Sequence, residues 1–106
     1  MQIGKSKEID IAKNLRTIEW LKAELLDGVA LLFKSLLRAS TETVGDILAS
    51  IIMITYVLGK RLGLSFEAID TKIKNKLNKQ INEEHELEEW YGDLTNLLRY
   101  FESSKR

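Results

Sequence analysis

Val44–Leu58 reads Val-Gly-Asp-Ile-Leu-Ala-Ser-Ile-Ile-Met-Ile-Thr-Tyr-Val-Leu. Val44, Ile47, Leu48, Ile51, Ile52, Ile54, Val57 and Leu58 cover more than one face of a helix. A helix that is apolar nearly all round is a buried one, so this segment forms the centre of the monomer or of an oligomer. Its nearly uncharged part, Ile47 to Gly59, is too short to span a bilayer, and no membrane is expected. Ser40 or Thr41 can cap the helix, and Glu42 in the first turn suits its dipole. The helix runs to about Leu62, where Arg61 followed by Gly63 makes the usual ending.

Upstream, Leu15, Ile18, Leu21, Leu25, Val29, Leu32 and Leu36 recur at steps of three and four. They predict one long amphipathic helix over about Ile9 to Arg38. Gly28 falls mid-pattern, where glycine costs about 1 kcal/mol against alanine, and marks either a close helix contact or a kink. Downstream, Ser65 caps a third helix reaching about Asn82. A fourth, about Glu84 to Glu102, carries Leu87, Trp90, Leu94, Leu97, Leu98 and Phe101 on its inner face, so Trp90 is expected to be largely buried. The expectation is an all-α bundle of about four helices in a single domain over residues 1–106, with flexible ends at about 1–7 and 103–106.

Composition agrees. The 106 residues include no proline and only six glycines, which suits a few long helices and not a turn-rich sandwich or barrel. Sixteen basic residues cancel sixteen acidic ones, so no DNA or RNA binding is expected of the whole domain. Without cysteine there is no disulfide framework, thiolate metal site or cysteine nucleophile, and a reducing cytoplasm is the default location.

Most catalytic arrangements are missing. The glycines are scattered and form no phosphate loop. His85 is the only histidine, sits in the acidic run Glu83 to Glu89, and reads as a solvated surface residue; the serines thus lack a partner for a hydrolytic triad. Lys72, Lys74, Lys76 and Lys79 form a basic helix beside that acidic run, either as two solvated, mutually attracting faces or as a surface for polyphosphate. Carboxylates remain. Glu24 and Asp27 are three apart, share a face of the first helix and border its apolar stripe. Asp46 lies near the head of the most apolar helix. If the two helices pack antiparallel, these three acids can converge, and oxygen ligands of this kind suit Mg²⁺ or Mn²⁺. They can equally be ordinary acids near helix ends.

From about Ile18 to Asn75 the chain resembles the MazG-type all-α nucleoside triphosphate pyrophosphohydrolases. Their hallmark is an E-E-x-x-E helix, then a helix with E-x-x-D, an apolar run and a Leu-Gly-Ile/Leu turn. Here the first motif reads Ala23-Glu24-Leu25-Leu26-Asp27. The second reads Thr43-Val44-Gly45-Asp46 and continues to Arg61-Leu62-Gly63-Leu64. The stretches Ile9–Arg16 and His85–Leu94 look like a short MazG-like subgroup of Gram-positive bacteria. The resemblance implies metal-binding roles for Glu24, Asp27 and Asp46. Thr43 stands where the second motif has glutamate, and Glu42, four residues before Asp46, is placed to substitute for it. Lys72 and Asn75 are nearest to the family's downstream substrate-binding lysine and asparagine, with the spacing off by one. The implied activity is Mg²⁺-dependent hydrolysis of a nucleoside triphosphate to monophosphate and pyrophosphate, in a dimer or tetramer. The rival is a catalytically lapsed member, kept as a nucleotide-binding or protein-interaction module.

Overall fold

The computed structural model describes residues 3–83 and 86–104, and side chains from residue 7 onward. These residues form five α-helices and no strand: α1 Ile3–Ser35, α2 Thr41–Arg61, α3 Phe66–Asn82, α4 Glu86–Tyr91 and α5 Asp93–Ser104. They fall into two compact units, Met1–Leu64 and Ser65–Arg106.

The first unit is a helical hairpin. α1 runs unbroken through Gly28, and the chain reverses through residues 36–40. Ser40 is the residue that caps α2: its Oγ accepts from Thr43 N at 3.2 Å and donates to Thr43 Oγ1 at 3.1 Å. At the far end Gly63, at φ 101°, lets the chain turn so that Leu64 N reaches Gly59 O and Gly63 N reaches Lys60 O. This is the paired-bond ending that glycine favours. Asn14 Nδ2 donates to Arg61 O at 3.0 Å, fixing the helices as antiparallel with the end of α2 opposite Asn14.

The seam between α1 and α2 is narrow. Leu21 is 3 % exposed and Ile47 is buried, with Ile18, Leu25, Leu32, Val44, Ile51, Ile54 and Leu58 half-buried around them. The expected α1 stripe is therefore only partly inside. Leu15, Val29 and Leu36 face solvent, because α2 contacts the arc centred on Leu21, Gly28 and Leu32 and one neighbouring helix cannot cover a wider band. α2 is likewise covered on one side only, and Leu48, Ile52, Met53 and Val57 are exposed. Taken whole, α2 is long and apolar enough to cross a membrane, which the shorter uncharged core did not suggest. Its neighbour α1, however, sets Glu24 and Asp27 beside it, charges that hydrocarbon does not readily accommodate.

In the second unit α3 packs against α5, with Leu77 and Leu94 buried. Ser65 caps α3 as expected, its Oγ accepting from Ala68 N at 3.0 Å. Lys79 pairs with Glu83 across one turn at 4.0 Å, so the acidic run begins as the C-cap of the basic helix. The single fourth helix expected over 84–102 is two helices. Gly92 takes φ 65°, a left-handed conformation that interrupts the helix at little cost for glycine. Glu88 holds the bend. Its carboxylate accepts from Thr95 N at 3.1 Å and from the Thr95 hydroxyl, acting as a remote cap for α5. The Thr95 hydroxyl, then the Thr95 amide, hold the Glu88 carboxyl below its ordinary value, with Arg99 adding a favourable charge. The break also turns Trp90 off the Leu94–Leu98 stripe. It is 65 % exposed, contrary to expectation, and stacks edge-on against Tyr91.

Candidate functional site

Gly28 is a close helix contact and not a kink. A Cβ there would lie 3.2 Å from Ile51 Cγ1, so the missing side chain lets α1 and α2 approach. Beside this contact the helices leave a shallow depression of about 240 Å³, lined from α1 by Glu24, Asp27, Gly28 and Leu31 and from α2 by Ile47, Ser50 and Ile54. Glu24 is half-buried and Asp27 exposed. Two carboxylates and one hydroxyl thus converge over an apolar floor.

The other expected site residues are placed differently. Asp46 is exposed one turn before Ser50, and it does not line the depression. Glu42 is exposed in the first turn of α2. The Thr43 hydroxyl is engaged by Ser40 in the helix cap. Among the described residues no three acids come together as a metal-binding group. Lys72 and Asn75 are exposed on α3, in the second unit, and His85 lies outside the described residues. The contribution of Ser50 went unassigned in the sequence, although its spacing of three from Ile47 and four from Ile54 is the signal that puts it on that side of α2.

Residues 11–94 match a family model described as MazG-like. The chain belongs to the MazG-like family. The match takes in all of α2, α3 and α4, and α1 from residue 11, so Glu24, Asp27 and Asp46 lie within it. No curated protein and no solved structure matches the chain.

Mg²⁺ demands oxygen ligands, keeps several waters, and is commonly held by one or two carboxylates together with substrate phosphates. Glu24, Asp27 and Ser50 supply only oxygens, two carboxyl groups and a hydroxyl. That donor set suits Mg²⁺ shared with a phosphate chain. It is too sparse for an ion enclosed by protein alone.

Proposed function

We propose that this MazG-like protein hydrolyses a nucleoside triphosphate to the monophosphate and pyrophosphate, with Glu24 and Asp27 as the carboxylates that hold Mg²⁺. The observation that carries the reading is the position of these two acids, which the resemblance matches to the family's first motif, on one wall of the α1–α2 depression. Bound there, Mg²⁺ (or Mn²⁺) would neutralise phosphate charge and make a bound water more acidic. Glu24 and Asp27 would hold that ion from α1. The Ser50 hydroxyl offers a hydrogen bond from α2, and the apolar floor of Ile47 and Ile54 limits water. Asp46 and Glu42 contribute negative charge at the head of α2.

Self-association belongs to the same proposal. Leu26, Val29, Phe33 and Leu36 on α1, with Leu48 and Ile52 on α2, are exposed. At 100° per residue they lie on the side of the seam away from Glu24 and Asp27. An apolar face of this extent suits a second copy of the chain in a dimer or tetramer. The proposed substrate and the lack of cysteine both suit the cytoplasm.

The lapsed, non-catalytic reading draws on Thr43, which removes one family carboxylate. Pyrophosphate release from a panel of nucleoside triphosphates, with and without Mg²⁺, separates the two. The catalytic reading expects Mg²⁺-dependent release that Asp27→Asn abolishes. Binding of nucleotide without any release would leave the lapsed module.

A further inference from the structure

Trp20, Glu24, Asp27 and Leu31 follow one another along α1 at steps of four, three and four, which places them on one face of the helix. The last three line the depression, and Trp20 sits one turn before them, 60 % exposed. Helical side chains lean toward the N-terminus of their helix, so Glu24 leans toward the turn that carries Trp20. Neither helix contributes an aromatic ring to the depression itself. Trp20 to Asp27 spans about 10 Å along the axis. That is the scale on which an extended nucleotide separates its base from its phosphates.

We propose that Trp20 is the platform on which the base of the bound nucleotide stacks while its phosphates lie toward Glu24 and Asp27. The inference rests on reading the depression as a triphosphate site. An indole face offers every base a partner, so Trp20 adds grip on a nucleoside over bare polyphosphate while discriminating little between bases. It also gives a reason for a large apolar ring to stand in water beside two carboxylates.

The test uses a Trp90→Phe background, in which Trp20 is the remaining tryptophan of two. A non-hydrolysable nucleoside triphosphate analogue with Mg²⁺ should change the emission of Trp20, and inorganic tripolyphosphate with Mg²⁺ should bind without doing so. By calorimetry, Trp20→Leu should weaken nucleotide binding by about five- to a hundredfold, as expected for the loss of one stacked base, and leave tripolyphosphate binding unchanged. Trp20→Tyr should restore most of the difference, which separates stacking from simple bulk. Equal nucleotide affinity in Trp20→Leu would overturn the platform while leaving the site standing. So would conversion of an oligomer to a monomer by Trp20→Leu, which would make Trp20 an interface residue. If the parent protein binds neither nucleotide nor tripolyphosphate, the triphosphate site itself is wrong and the platform falls with it.

Discussion

Thr43, which the resemblance aligns with the family's second-motif glutamate, is the third residue of α2 after the Ser40 cap. Restoring the acid by Thr43→Glu creates a Ser-x-x-Glu capping box, because a glutamate there can reach back to the Ser40 amide. The variant should therefore melt no lower than the parent without metal, with a gain of up to about 1 kcal/mol from the cap and the helix dipole. With Mg²⁺ its melting temperature should rise more than the parent's, and it should release pyrophosphate faster. An unchanged Mg²⁺ response in calorimetry would show that position 43 does not face the ion. The spacing of Glu24 and Asp27 was enough to put both on one wall of the site. The position of Asp46 outside the depression was not legible, since it depends on how far α2 rotates about its own axis when it packs on α1. Trp20 escaped notice for a related reason, because it lies beside the apolar stripe and only the packing of α2 shows which flank of that stripe carries the depression.

The two long helices were readable as elements because their caps and periodicity agree, and Ser40, Gly63 and Ser65 act where the sequence placed them. The last helix was misread because glycine inside a periodic pattern is ambiguous, and no local rule connects Glu88 to a threonine seven residues later. That link makes the α4–α5 bend sensitive to acid. The folded Glu88 carboxyl lies below its unfolded value, so its contribution is complete above the ordinary glutamate range. It is lost as the pH falls through the lowered folded value. The protection of the Thr95 amide, measured relative to its intrinsic exchange rate at each pH, should be high at neutral pH and fall on acidification, and Glu88→Gln should lower it at neutral pH. At the other glycine contact, Gly28→Ala sets about 1 kcal/mol of helix propensity against a tight approach to Ile51, and should change stability by less than about 1 kcal/mol in chemical denaturation. Gly28→Leu has no such escape and should cost about 1–3 kcal/mol by overpacking the seam.

At the scale of the whole molecule, the first unit has too little interior for its apolar content. Leu21 and Ile47 are its buried apolar side chains, while Leu26, Phe33, Leu36 and Ile52 stand in water. Sedimentation at micromolar concentration should give a dimer or tetramer. A charge placed on the exposed row, as in Phe33→Glu, should shift the population toward monomer while sparing the carboxylate depression on the other side. A monomeric parent would remove the proposed interface. Trp90, exposed on the short α4, should tolerate alanine at a cost of under about 1 kcal/mol, since truncation there opens no cavity.

The bond from Asn14 to the end of α2 has a mechanical consequence. Residues 3–13 of α1 continue past the point where α2 stops, an overhang of about 16 Å. A peptide of that length is a marginal helix by itself, because starting a helix is far harder than lengthening one. Here the paired part of α1 acts as a permanent seed, and the overhang grows from it one residue at a time. Order along it is therefore graded: turns beside Asn14 open rarely, and those toward Ile3 open often. Amide protection should therefore rise step by step from Ile3 toward Asn14.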